Sequence, residues 1–231
     1  MGHILRTNIL GNPNVGLFGF ATNTYCLLGK EVPLKIAEQI QETLQVPVYR
    51  ITLAGTSLIG AFASGNNTIL LIPSIVFPQE RLALDHLGIK YAVIDTKHTA
   101  LGNNVLCNDT GCIVNKHLEA KALKEIAQAL KIMPKPAELA DVEVVGAVAA
   151  ITQHYGYVHP GIKPFEEEFL ASTFKIKITK GTVGLGNPFV HSGLLVNAYG
   201  FVAGQTTTGI ELTSIDEAFG FLEAKSLKSM V

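Results

Sequence analysis

The sequence predicts an α/β fold: a closed, five-fold pseudosymmetric propeller built from β-β-α-β repeats of about 44 residues. Three observations predict it. An apolar residue followed by glycine recurs as Val15-Gly16, Ile59-Gly60, Leu101-Gly102 and Val145-Gly146, and Val190-His191 fits a fifth time if His191 takes the glycine's place. The spacings are 44, 42, 44 and 45 residues. The same order of turn, strand, helix and strand follows each anchor, and one unpaired strand pattern, residues 3–9, precedes the first.

A short strand follows each anchor and ends in a turn six or seven residues on. The turns are Asn23-Thr24, Asn66-Asn67, Asn108-Asp109-Thr110-Gly111, residues 152–156 and Asn197-Ala198-Tyr199-Gly200. Two of them read N-x-x-G, which suits a hairpin whose last turn residue needs positive φ. A second apolar run covers residues 25–28, 69–72, 112–114, 157–158 and 201–203, and stops at Gly29, Pro73, Asn115, Pro160 and Gly204.

Helical patterns come next. Leu118, Ala122, Ile126 and Leu130 recur every four residues, while Lys121, Lys124, Glu125 and Gln128 point elsewhere. Ile36, Ile40 and Leu44 repeat the stripe in the first unit, and Leu212, Ile215, Phe219 and Leu222 in the fifth. Third strands are expected at 46–51, 89–94, 175–179 and, weakly because of Pro134, 131–135. The fifth unit lacks one, so residues 3–9 are expected to complete it and close the ring, which leaves no open sheet edge. The chain then reads as one domain, 1–231, with repeats near 15–53, 58–94, 101–135, 145–179 and 190–222.

Bulk composition supports a packed core. Hydrophobic residues make up 48% of the 231 and charged residues 16%. No apolar run reaches the roughly 18 residues of a membrane span, and residues 1–10 are too polar for a signal peptide, so a cytoplasmic protein is expected. Net charge is −1, and the nearest basic cluster is Lys175, Lys177 and Lys180. A protein held mainly by phosphates would show a basic face, so contact with nucleic acid is expected to be secondary.

Catalytic patterns are weak. The seven histidines are scattered, and no H-E-x-x-H or zinc-spaced Cys/His pair occurs, so no metal is expected. Residues 181–188 are glycine-rich, but Pro188 and the strand after it do not suit a phosphate-binding helix start. Glu166 to Glu168 and Asp216-Glu217 read as charged helix faces. Cys26, Cys107 and Cys112 read as reduced, buried thiols, with Cys107 and Cys112 placed to face each other across a hairpin.

Several segments together resemble the translation initiation factor 6 family in its archaeal form. They are residues 11–16, Thr22-Asn23-Thr24-Tyr25, Ser57-Leu58-Ile59-Gly60, residues 99–103 followed by Cys107-Asn108-Asp109, and residues 204–212. The resemblance runs from about residue 3 to residue 222. It implies the pentein fold and a protein without catalysis or cofactor. It also implies binding to the large ribosomal subunit, mainly to a ribosomal protein beside the sarcin–ricin loop with secondary rRNA contact. Such binding blocks joining of the small subunit and accompanies a role in large-subunit biogenesis. A monomer that binds neither DNA nor membrane is implied as well.

By the same resemblance the contact involves Asn103, its neighbours Leu101, Gly102 and Asn104, and Gly16, Gly60, Ala61 and Phe189. Ala61 stands where eukaryotic relatives often have arginine, and His191 replaces the fifth anchor glycine. The short tail after Leu222 implies that the eukaryotic extension is missing. The alternative is a guanidino-modifying enzyme of the same fold. Its nucleophile would be a C-terminal cysteine, and this chain has no cysteine after Cys112, leaving Cys107 or Cys112 for that role.

Overall fold

The computed structural model describes residues 2–222. The stretch 223–231, which contains the tail discussed above, lies outside the described residues. Strand β1 is Ile4–Thr7. The first repeat has a 3-10 turn at Val15–Phe18, then β2 (Gly19–Ala21), β3 (Cys26–Gly29), α1 (Leu34–Leu44) and β4 (Val48–Ile51). The second has α2 (Ile59–Phe62), β5 (Ser64–Gly65), β6 (Leu70–Pro73), α3 (Pro78–His86) and β7 (Tyr91–Ile94). The third has α4 (Leu101–Asn104), β8 (Val105–Cys107), β9 (Cys112–Asn115), α5 (Ala120–Leu130) and β10 (Lys135–Ala137). The fourth has β11 (Ala149–Ile151), β12 (Tyr155–Val158), α6 (Pro164–Phe174) and β13 (Lys177–Lys180). The fifth has β14 (Leu194–Val196), β15 (Phe201–Gly204) and α7 (Gly209–Ala218).

These elements form five separate three-stranded sheets, and no single sheet closes on itself. In each repeat the first strand pairs antiparallel to the second, and the third pairs parallel to the second. The fifth sheet takes its third strand from the other end of the chain. β1 pairs parallel to β15, with Ile4 opposite Phe201 and Thr7 opposite Gly204. The unpaired N-terminal strand thus has the partner that the repeat arithmetic required.

Helix α5 shows how sequence becomes packing. Ala122, Ile126 and Leu130 are buried, while Lys121 and Lys124 are exposed. Fully burying a side chain the size of Ile126 or Leu130 contributes about 1.5–3 kcal/mol. The helix stops because Lys131 turns left-handed at φ 57°. That turn corrects the expected strand at 131–135. The third strand begins only at Lys135 and contains Pro136, which is tolerated because β10 is an edge strand. Lys175 at φ 56° likewise caps α6, so β13 starts two residues later than expected.

The core is five clusters, each shared between neighbouring repeats. Leu27 of the first repeat packs with Ile59 and Leu70 of the second. Leu71 packs into the third repeat's cluster, Leu106 and Ile113 into the fourth's, and Ala150 and Tyr157 into the fifth's. Leu195 and Val202 of the fifth repeat pack with Val15, Ile40 and Leu44 of the first. No repeat buries its apolar face alone, which is the physical meaning of a repeat architecture.

Candidate functional site

Strand directions place the anchors and their loops at one end of the molecule. The first strand of each repeat runs away from its anchor, the second returns, and the third runs parallel to the second. Each third strand therefore delivers the chain back to the anchor end, and each long helix starts there. Loops ahead of the anchors carry exposed apolar residues: Leu10, Leu58, Leu185 and Phe189.

The anchor glycines sit where adjacent repeats approach most closely. A Cβ would lie 1.9 Å from the His191 carbonyl oxygen at Gly16, and 1.9 Å from the Gly16 oxygen at Gly60. It would lie 1.8 Å from the Gly60 oxygen at Gly102, and 2.2 Å from the Gly102 oxygen at Gly146. No side chain fits there. His191 takes the fifth place differently: its N–H reaches the Ala147 carbonyl at 3.4 Å, and its Nε2 lies 3.3 Å from the Gly60 oxygen. Burial holds its pKa below the usual histidine value, so at neutral pH an uncharged ring donates Nε2–H to that carbonyl.

The residues after the anchors, Leu17, Ala61, Asn103, Ala147 and Ser192, are all half-buried. Asn103 uses its backbone, donating to Ala100 at 3.0 Å and accepting from Gly146 at 2.8 Å. Among the described residues its carboxamide has no hydrogen-bond partner, whereas Ser192 Oγ is bonded to the Phe189 carbonyl at 2.8 Å. Of the eight residues expected at the contact, Asn103, Ala61 and Phe189 reach the surface. Gly16, Gly60, Leu101, Gly102 and Asn104 are buried. Leu101 belongs to the core, and Asn104 bonds the Ala100 carbonyl and the Asn115 side chain, each at 2.8 Å.

Glutamates at the third position of three helices brace this end. Glu80 accepts from the N–H groups of Ala54 and Gly55, both at 2.9 Å. Glu166 accepts from Ala140 at 3.1 Å. Glu211 accepts from Leu185 at 3.2 Å and Gly186 at 2.9 Å, and from the Thr182 hydroxyl at 2.9 Å. Burial alone would raise the Glu211 carboxyl, but its donors, Thr208, Gly186 and Thr182, hold it below the ordinary glutamate value. A folded-state pKa below the unfolded one stabilises above the unfolded value and is lost as pH falls through the folded value. Glu211→Gln is accordingly expected to cost about 1–3 kcal/mol at pH 7 and much less below about pH 4. Urea titrations at both pH values check this; equal stability of variant and wild type at pH 7 would exclude the bracing role.

The opposite end carries a second ring that the sequence reading did not pick out. Asn67 Oδ1 accepts from the Asn23 N–H at 2.9 Å, Asp109 from Asn67 at 3.0 Å, and Gln153 from Asp109 at 3.3 Å. Asn23 accepts from Ala198 at 2.9 Å. These positions all lie seven residues past their anchors, so aligning the repeats position by position would have revealed them. Ala198 has no acceptor, which leaves one gap in the ring. Between the two ends lies a cavity of about 100 Å³, to which β2, β5, β8, β11 and β14 all contribute.

The cysteines are poorly placed for nucleophilic chemistry. Burial pushes the Cys26 thiol up to about 12. Cys107 and Cys112 face each other across the β8–β9 hairpin, both buried, and Cys107 Sγ donates to the Gly65 carbonyl at 3.1 Å. No histidine hydrogen-bonds to either thiol among the described residues. Among the same residues, no helix is long and apolar enough to cross a membrane.

Comparison with known proteins agrees with this picture. Residues 4–218 match the sequence model of the eIF-6 family. Translation initiation factor 6 of Pyrococcus horikoshii is 34% identical over 226 residues, covering 95% of this chain and 100% of the relative. The protein of the same name from Haloquadratum walsbyi is 33% identical over 222 residues, with 96% and 98% covered. That from Sulfolobus acidocaldarius is 31% identical over 217 residues, with 93% and 97% covered.

Proposed function

The chain belongs to the eIF-6 family of translation initiation factors, not enzymes, and from that premise we propose that it binds the large ribosomal subunit and sterically keeps the small subunit from joining. The docking surface is the anchor end. The observation that carries this is the free, half-buried Asn103 carboxamide on a face studded with exposed Leu58 and Phe189. Partly apolar, with an uncommitted neutral carboxamide, such a face suits a protein partner better than a phosphate backbone. The partner is a ribosomal protein beside the sarcin–ricin loop, with rRNA contact secondary. Net charge of −1 agrees with that order.

In this reading Asn103, Ala61 and Phe189 touch the partner. Gly16, Gly60, Leu101, Gly102 and Asn104 shape the surface from beneath. The protein acts as a cytoplasmic monomer, with a part in large-subunit biogenesis. The whole chain is one domain whose five repeats close into a propeller. The β1–β15 pairing, the shared core between the fifth and first repeats, and a cavity lined by all five first strands support closure.

Sucrose-gradient sedimentation with purified subunits tests the function. The protein should travel with large subunits, not small ones, and should reduce the yield of joined particles. Sedimentation only at the top of the gradient, with subunit joining unaffected, would overturn the reading.

A further inference from the structure

Four of the five loops entering the anchor end turn through successive residues of positive φ, two in three of them and three in the last, where Gly184 (63°) comes first. They are Leu10 (52°) and Gly11 (78°), Ala54 (52°) and Gly55 (73°), Ala140 (53°) and Asp141 (58°), and Leu185 (67°) and Gly186 (91°). Each is pinched by a backbone bridge: Ile9 with Asn12, Leu53 with Thr56, Leu139 with Val142, and Val183 with Asn187. Consecutive residues of this kind turn their N–H groups into a small concavity that favours anions.

Three copies of the concavity are filled by a carboxylate of the chain itself, those of Glu80, Glu166 and Glu211. Each comes from the third residue of the helix that follows, and each also takes an N–H at its own helix start. The first repeat departs from this pattern. The third residue of α1 is Ile36, its cap is Pro33, and no side chain caps the helix. Among the described residues, neither the Leu10 N–H nor the Gly11 N–H has a hydrogen-bond partner. Both residues are exposed, Leu10 by 49%. The second residue of α1 is Lys35, and the first, Leu34, is 62% exposed.

We propose that the Leu10–Gly11 loop is a carboxylate receptor left vacant by the first repeat, taking an acidic side chain from the protein surface against which the anchor end docks. The internal copies fix the ligand chemistry: a turn of this kind holds a carboxylate three times over. The uncapped start of an eleven-residue helix and the Lys35 ammonium add positive potential. Leu10 is itself apolar and exposed, which suits an acidic residue in a folded protein surface more than a free anion. The identity of the docking surface rests on the large-subunit reading above; the receptor itself does not.

Two measurements separate these points. Sodium acetate titrated into the ¹⁵N-labelled protein, against sodium chloride at equal ionic strength, should move the Leu10 and Gly11 amide signals downfield to saturation. The Ala54 and Gly55 signals, already served by Glu80, should stay. Ile36→Glu supplies the missing carboxylate from within, and should abolish the acetate response and weaken large-subunit binding about tenfold, the loss of one charge-assisted contact. Ile36→Ala should keep both. Leu10 and Gly11 signals indifferent to acetate would overturn the receptor, whether or not Ile36→Glu folds. An acetate response with Ile36→Glu binding subunits as tightly as wild type would overturn the protein-side ligand in favour of free carboxylates. Failure of the wild type to bind subunits would sink the functional reading and leave the receptor to be decided by acetate alone.

Discussion

Gly102→Ala is expected to destabilise the protein by about 3 kcal/mol or more, a large share of the roughly 5–15 kcal/mol that a native domain holds. Backbone conformation is not the cause, since alanine prefers a helical turn to glycine. The obstacle is the neighbouring repeat. The new methyl would lie 1.8 Å from the Gly60 oxygen and 2.8 Å from the Ala63 oxygen. Both are main-chain atoms of α2 and the residue after it, and they cannot rotate aside. Relief requires sliding the second repeat against the third, through the cluster in which Leu71 packs with Leu101 and Val105. Gly209→Ala is the matched control: it is the first residue of α7, and a Cβ there meets nothing within 4 Å. It should leave the urea midpoint unchanged or slightly raised. A Gly102→Ala midpoint equal to that of the control would show that close approach is not what the anchor glycines provide.

Asn103→Arg should leave the fold intact and lower large-subunit affinity by about 2–4 kcal/mol, some 30- to 1,000-fold. The two parts have separate grounds. Folding uses the Asn103 backbone, through Ala100 and Gly146, and its carboxamide holds nothing within the described chain. Binding is expected to enclose that carboxamide, and an arginine there brings a longer side chain and a charge into a space fitted to a small neutral group. Thermal melting should match wild type, while titration against purified large subunits should show the loss. Wild-type affinity in a normally folded Asn103→Arg protein would move the docking site away from this ring.

The repeat was legible because its phase is written in backbone requirements. Glycine at the anchors, turn residues six or seven positions on, and apolar stripes every four residues are each local demands, visible without tertiary structure. Their reasons were not all local. The periodicity exposed Gly16, Gly60, Gly102 and Gly146, but the cause is a carbonyl oxygen of the preceding repeat. Leu101 and Asn104 are expected at the contact as neighbours of Asn103 in sequence. In the short α4 helix they face inward, toward the core and Asn115. The strand expected at 131–135 slipped because Lys131, an ordinary residue for a helix, adopts a left-handed cap. Glu166 reads in sequence as part of a charged helix face, and only the loop it holds reveals its use; Glu80 and Glu211 brace their loops in the same way.

The pairing of β1 with β15 also sets a clock. Phe201, the partner of Ile4, is made 197 positions after it. At about 5–20 residues per second of synthesis, the first strand waits on the order of 10–40 s for its sheet. Four repeats can be translated in that time, each leaning on the one before. The first cannot complete its own core until Leu195 and Val202 arrive. Contacts of such long sequence separation are slow to form and costly to close, so the last step of folding is also the step that stabilises the beginning. A chain whose translation stops short of residue 204 leaves β1 without its full partner and with an exposed edge.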